Sequence, residues 1–305
     1  MKENIEMKDL EKMEIYGIKL PIMEKPFNLA EKIVEKAEET GVGLRNGDII
    51  VVTSKIVLKS KGLLIDLERV KPGIRAKIIS KLTGKDPVET QIILDNSKKI
   101  YAIIPLKFLE KYVKLISRDS KAGLKAVESV KALMFVQMKN GIIASDAGLD
   151  YSNIPPEYVI TGNHNFDSLA KEIREKIKSI CGREVAVIIA DTEVSLSNGK
   201  IGSLDFAVGS SGIETLTREF GEEDFYGRPK FGGLDIIVDE ACAAAALLMK
   251  QGREGIPIVI IRGLKYEKNE NGIREILITR RGGEAKKQLL KTLLLNLLLK
   301  MLRII

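Results

Sequence analysis

Tryptophan is absent from this 305-residue chain, histidine occurs once and cysteine twice. Each shortage narrows the chemistry. A His-based catalytic triad would have to use His164, which lies in the polar stretch Asn163-His164-Asn165 and reads as a solvated turn residue. Cys181 and Cys242 are far apart and lack the spacing of a zinc site; they read as small core residues in a reducing compartment. No Gly-x-x-x-x-Gly-Lys-Ser/Thr loop occurs, and no Gly-x-Gly-x-x-Gly follows a strand. Arg-rich blocks and interleaved basic and aromatic residues are missing too, so no nucleic-acid partner is expected. The net charge of +7 fits anionic small molecules such as nucleotides. Met1 to Glu14 is polar and charged and reads as an N-terminal extension without a secretory signal, so a cytoplasmic location is expected.

What is present describes an ordinary globular protein: 45% apolar residues, 30% charged residues and a length that supports one large or two smaller domains. Abundant Lys and Glu point toward a thermophilic source. Leu289 to Ile305 resembles a membrane span, with 12 apolar residues in 17. Thr292, Asn296, Lys300 and Arg303 nevertheless recur every three or four positions and form one helical stripe. Charges inside a span are costly. The expectation is a helix docked in the core or in a subunit interface; a helix lying on a membrane surface is the alternative.

Along the chain, Leu29 to Glu39 has helical periodicity, and Ile49 to Thr53 reads as a buried strand followed by Ser54, Lys55 and Lys59. Residues 66–98 read as helices broken at Pro72-Gly73 and Gly84 to Pro87, and Ile100 to Ile104 as a short strand. Residues 106–134 are Lys-rich and read as helical, with a turn leading into a strand at Ile142-Ile143. Ser168 to Ile180 reads as an amphipathic helix. Residues 199–212 are rich in Gly and Ser, Asp235 to Val238 reads as a short strand, Asp239 to Lys250 as a helix, and Ile256 to Arg262 as a strand. Strands and helices mix without a strict βαβ repeat, which predicts an α/β or α+β class with two interlocked lobes.

The run Val185-Ala-Val-Ile-Ile-Ala-Asp191-Thr192 carries the sharpest chemical signal. Continuous Val and Ile indicate a strand buried on both faces. A carboxylate at its end is costly unless a cation, a donor or water meets it. The same grammar recurs in Gly141-Ile-Ile-Ala-Ser-Asp146-Ala-Gly-Leu-Asp150-Tyr-Ser-Asn153. Asp146, Asp150 and Asp191, with oxygens from Thr192 and Gln251, form a candidate donor set for magnesium or manganese. Lys55 and Lys59 are candidate phosphate contacts. The loop Met249-Lys250-Gln251-Gly252-Arg253-Glu254-Gly255-Ile256 offers backbone amides to a base or phosphate. Asp and Gly at strand ends equally mark plain turns.

Taken together, these motifs resemble the coenzyme F420:L-glutamate ligase family, the γ-glutamyl ligases that extend the tail of a deazaflavin coenzyme. Leu20-Pro21-Ile22-Met23 is similar to the family's opening Leu-Pro segment, and Gly47 to Lys55 with Lys59 to its first nucleotide strand. Asp146-Ala-Gly-Leu-Asp150-Tyr-Ser-Asn153 resembles Asn-Ala-Gly-x-Asp-x-Ser-Asn, and Asp191-Thr192 its metal-binding Asp-Thr. Tyr226-Gly-Arg228, Asp239-Glu240, Gly255-Ile-Pro257 and Arg262-Gly263 resemble its second half.

The resemblance covers residues 15–265 and leaves 266–305 as a C-terminal segment. It implies an α+β fold of two interlocked lobes in an intertwined homodimer. It also implies GTP, with ATP as an alternative, and two Mg²⁺ or Mn²⁺ ions per subunit. Asp150 and Asp191 would hold one ion; Thr192 and Gln251 would belong to the second. Leu20, Pro21, Ile22, Met23, Ser54, Lys55, Lys59, Asn153 and Met249 to Ile256 would surround the nucleotide, with Asp150, Asp191 and Lys59 as the catalytic residues. The implied reaction phosphorylates the carboxylate of an acceptor, a deazaflavin or a folate-like pterin, and joins it to glutamate or a similar amino acid.

Several positions depart from the family pattern. Asp146 replaces Asn, and Leu58-Lys59-Ser60-Lys61-Gly62 replaces Ser-Lys-Ala-Glu-Gly. Lys250 replaces a usual Gly before Gln251, and the stretch from Pro105 to Gln137 is longer than in typical members. Glu193 to Gly199 lacks the Arg residues of the family's Gly-Arg-x-x-Arg, which would grip an anionic substrate. The expectation is a divergent paralogue with a rewritten acceptor side; the alternative is a non-catalytic nucleotide- and metal-binding paralogue.

Overall fold

The computed structural model describes residues 11–23, 25–195, 200–280 and 283–302. In chain order the elements are β1 (Glu14–Ile18), α1 (Leu29–Glu39), β2 (Ile49–Thr53), α2 (Ser54–Ser60), β3 (Ile65–Asp66), α3 (Ile74–Thr83), α4 (Pro87–Asn96), β4 (Ser97–Pro105), α5 (Val113–Ile116) and α6 (Ser120–Val130). They continue with β5 (Ala132–Met138), β6 (Ile143–Ser145), β7 (Tyr158–Val159), α7 (Phe166–Cys181), β8 (Ala186–Ser195), β9 (Gly202–Ser211), α8 (Ile237–Met249), β10 (Ile258–Arg262) and α9 (Gly283–Met301). The fold is mixed α+β.

The main sheet has five strands in the order β1-β10-β2-β8-β9. Its centre consists of the apolar runs. Ile49 to Val52, Ala186 to Ile189 and Ile258 to Ile260 are each fully shielded from solvent. Because successive strand residues point to opposite faces, unbroken burial means that both faces are covered. Helix α8 packs against all five strands, while α7 packs against β8 and β9 with α1 beside it. Helix α1 starts where the Asn28 side chain accepts the Glu31 N–H, and it buries Leu29, Ala30, Ile33 and Ala37 on one stripe.

One pair in this sheet is parallel: β2 with β8, in the register Thr53↔Ala190. The residues that follow, Ser54 and Asp191, therefore lie side by side where the parallel pairing ends, at the carboxyl end of β2 and part-way along β8, and such a break beside a parallel pair is a usual place for a ligand crevice in an α/β sheet. A second sheet, β4-β5-β6, runs antiparallel throughout. Its last strand delivers the turn Asp146–Gly148 to the mouth of that crevice.

Several expectations need correction. Strand β8 does not stop at Asp191; it runs on to Ser195 because β9 pairs with it through Thr192↔Asp205 and Ser195↔Gly202. The Gly- and Ser-rich residues read without an element therefore form β9. Asp235 to Val238 is not a strand: Ile237 and Val238 open α8, and Val238 is buried in the core. The Lys-rich stretch is helical only in pieces, and its end becomes β5, whose alternating burial is that of a half-covered strand. Helix α9 is not docked in the core of its own chain, since Leu294, Leu295, Leu297 and Leu298 are each more than half exposed. Among the described residues no helix is long and apolar enough to cross a membrane.

Candidate active site

The crevice is built where the β2–β8 pairing ends, at the carboxyl end of β2 and at Asp191 within β8. Helix α2 starts directly after β2, with the Thr53 hydroxyl accepting the Ile56 N–H. Lys55 and Lys59, four residues apart, therefore share one helix face. Both reach across to the chain that follows β6. Lys55 Nζ lies 2.8 Å from Asp150 Oδ2 and also contacts the Ser152 hydroxyl. Lys59 Nζ donates to the Asn153 carbonyl at 2.9 Å. Ser152 in turn donates to Asp150 Oδ1 from both its backbone N–H and its hydroxyl, each at 2.7 Å.

The backbone at Asp150 is pinned by a two-way bridge to Ile160. The turn leading to it is left-handed at Asp146, Ala147 and Gly148, with φ of 48°, 56° and 65°. At Gly148 the requirement is double. A Cβ there would meet Gly162 N at 2.8 Å, and the site lies against Asp191 Oδ2.

Asp191 occupies the centre of the crevice, crowded by protein atoms although a water-reachable edge remains. Burial pushes its carboxyl up to about 7. The Thr192 N–H, the Ser54 hydroxyl and Lys55 pull the other way, while the nearby Asp150 carboxylate adds to the rise. Lys55 pairs directly with Asp150 rather than with Asp191, and a hard divalent cation would meet the charge on the Asp191 carboxylate. Among the described residues no three His, Cys, Asp or Glu side chains come together, so a cation here would complete its shell with hydroxyl, amide, water or phosphate oxygens.

Thr192 points to the opposite face of β8. Its hydroxyl donates to Asp205 Oδ1 at 2.7 Å across the β8–β9 ladder. Two residues along β9, Ser203 accepts from Gln251 Nε2 at 3.2 Å, which brings the loop after α8 against the same strand. That loop also closes over the opening segment, because Leu20 N–H donates to the Gly255 carbonyl at 2.9 Å. Pro21 and Ile22 are exposed, and Leu20 and Met23 are half-buried. In the loop Met249 is a core residue. Lys250 adopts φ of 50°, Gly252 N–H is held by Glu254, and Gln251 and Arg253 face solvent.

Some residues singled out from the sequence lie elsewhere. Asp146 does not face the crevice: Lys85 and the Met134 N–H take both its oxygens. Arg262 makes a two-pronged pair with Asp48 at the far end of β2, where it holds the sheet together. Lys61 pairs with Glu172 of α7. Glu193 ties β8 to β6 by accepting the Ser145 N–H. Residues 196–199 of the Arg-less segment lie outside the described residues. Sequence reading missed Asp205 and Ser203; the signal was their placement opposite Thr192 and Val194, which is visible only once β9 is known.

The family model for F420-0:gamma-glutamyl ligase matches residues 17–263, the span that contains every one of these elements. The chain belongs to that family. Among F420-0:gamma-glutamyl ligase relatives, the coenzyme F420:L-glutamate ligase of Methanocaldococcus jannaschii is 33% identical over 259 residues, covering 84% of this chain and 90% of that protein. The enzyme of the same description from Methanopyrus kandleri is 32% identical over 241 residues, 79% of this chain and 82% of its own length. That of Archaeoglobus fulgidus is 29% identical over 269 residues, 87% and 93%.

Proposed function

We propose that this protein is a nucleotide- and metal-dependent amide ligase that adds L-glutamate to a deazaflavin-type carboxylate acceptor. Family membership supports the ligase class. The observation that carries the rest is the meeting of Asp150, Asp191, Lys55 and Lys59 where the parallel β2–β8 pairing ends.

GTP is the proposed phosphoryl donor. The acceptor carboxylate oxygen attacks the γ-phosphorus, the bond to the bridging oxygen breaks, and GDP leaves with its electron pair. The glutamate α-amine then attacks the acyl carbon, phosphate departs, and the amine loses a proton as the amide forms. Lys55 and Lys59 sit where their ammonium groups can hold phosphate oxygens. Divalent cations at Asp150, Asp191 and Thr192 would supply neutralisation of charge on the transferring phosphoryl group. Leu20 to Met23 and the 249–256 loop, joined at Gly255, would enclose the nucleotide and exclude water.

The altered Asp146 and Lys61 do not argue for lost catalysis, because each has a partner outside the crevice. We also propose an intertwined homodimer of interlocked lobes working in the cytoplasm. Phe225, Tyr226 and Phe231 are 100%, 88% and 97% exposed, and a second copy would cover them.

The test incubates protein with Mn²⁺, GTP, glutamate and a deazaflavin or pterin acceptor. Release of phosphate with a glutamylated acceptor by mass spectrometry supports the proposal. GTP binding without turnover on any acceptor overturns the ligase reading.

A further inference from the structure

The excess positive charge of the chain is concentrated at one end. Residues 280–305 hold seven of the 49 Lys and Arg residues and only one of the 42 Asp and Glu residues, a net of +6 against +1 for everything before them. No acidic residue lies between Glu284 and Ile305 in the sequence. This segment is outside residues 17–263, the span that matches the ligase family, and outside every element that builds the crevice. Its helix is α9.

From Thr292 onward α9 is two-faced. Thr292, Asn296 and Lys300 recur every four residues and form one exposed polar stripe. Leu294, Leu295, Leu297, Leu298, Met301 and Leu302 lie on the other side, each between 52% and 74% exposed. They spread over about 160° of the helix circumference. A coiled-coil seam uses only the a and d positions of each heptad, a narrower stripe than this. A second copy of α9 would also bring like charges together, because Glu284 alone opposes Lys286, Lys287, Lys291 and Lys300. A continuous apolar medium bordered by negative charge matches both the width of the leucine face and the sign of the charge. The helix lies on such a medium rather than through it, since among the described residues none is long and apolar enough to cross a membrane.

We propose that α9 is a lipid-surface anchor. Its leucine face enters the headgroup boundary of an anionic bilayer, and its lysines meet the headgroup phosphates. Lys291 is exposed one turn before Leu295 and two turns before Leu298, at the start of the leucine face. Its four-carbon stem can lie along lipid while the ammonium reaches the headgroups. The inference follows from the charge and the faces of residues 280–305 and does not rest on the ligase reading.

The test floats the full chain with vesicles of equimolar phosphatidylcholine and phosphatidylserine, beside vesicles of phosphatidylcholine alone. Wild type is expected to rise with the anionic vesicles and to bind the neutral ones at least about tenfold more weakly. Leu294→Ser/Leu298→Ser should abolish the binding, and Lys291→Glu/Lys300→Glu should weaken it by about tenfold or more. All four side chains are exposed, so the variants take nothing from the core, and circular dichroism checks the fold. Wild type that rises with neither vesicle overturns the inference, as does equal binding to both. Anionic binding that survives both variants also overturns it, by assigning the contact to another surface. Failure to bind vesicles, with a larger assembly that Leu294→Ser/Leu298→Ser dissociates in sedimentation, overturns it in favour of a second copy. The ligase reading stands or falls separately, on the phosphate-release assay.

Discussion

Lys85 Nζ lies 2.9 Å from Asp146 Oδ2, with the lysine side chain 1% exposed and the aspartate side chain 11% exposed. Lys85 also donates to the Ala132 carbonyl at 3.0 Å, and Asp146 Oδ1 accepts the Met134 N–H at 2.8 Å. The pair therefore ties the turn before Asp150 to β5 and to the start of α4. Removing the aspartate leaves the buried Lys85 with Glu89 Oε2, 3.6 Å away, as its remaining carboxylate partner among the described residues, a longer and weaker pairing. Asp146→Asn is predicted to cost about 1–3 kcal/mol in urea unfolding. The double variant Lys85→Met/Asp146→Asn should recover most of that loss. Equal stability of wild type and Asp146→Asn would show that the pair does not anchor the turn.

That relationship marks where the sequence stopped being legible. Asp146 stood out as a departure from a pattern, but its partner comes 61 positions earlier and carries no local signal. Helix α1 was readable at its observed ends because its apolar spacing and its Asn28 cap agree. Strand β2 was readable because a fully buried run has little else to be. Strand β9 was not, because Gly, Ser and Asp are poor strand formers and β9 forms through its partner β8. Asp205 was lost with it. Residues 235–238 could have been either element, since four apolar or acidic residues have no decisive period, and the Ala run behind them drew Ile237 and Val238 into α8.

Gly209 packs β9 directly on the start of α7. A Cβ at this position would lie 2.4 Å from the Phe166 carbonyl carbon and 2.7 Å from Asp167 N, both backbone atoms. Gly209→Ala is predicted to destabilise by about 1–3 kcal/mol through overpacking. An unchanged melting temperature would contradict this packing.

Acid stability has an identifiable source. Burial alone would raise the Glu214 carboxyl, but Arg218, Asn269 and the Thr215 N–H overcome it and hold the group at about 2, against an ordinary 4.5. A depressed carboxyl contributes stability that is complete above the unfolded value and lost as pH falls through the folded one. Stability should therefore decline from about pH 4.5 toward pH 2, and Glu214→Gln should flatten that decline. Identical acid unfolding of the two proteins would remove Glu214 from the account.

Lys55 neutralises Asp150 at 2.8 Å and is also a proposed phosphate contact. Lys55→Met should thus move two affinities in opposite directions. Bare Mn²⁺ is predicted to bind more tightly, because a competing cation is gone, and GTP more weakly, each by about tenfold or less. Calorimetry of each ligand checks the signs. A loss of both affinities together would mean that Lys55 acts by holding Asp150 in place.

The most direct test of the central claim is calorimetric titration of GTP with Mn²⁺ present, on wild type and on Asp191→Asn. The substitution keeps the size of the side chain and removes the charge from the centre of the crevice. The proposed site predicts binding by wild type and a loss of at least about tenfold in the variant. Equal GTP affinity in both proteins, or no binding by wild type, would contradict a metal–nucleotide site where the β2–β8 pairing ends.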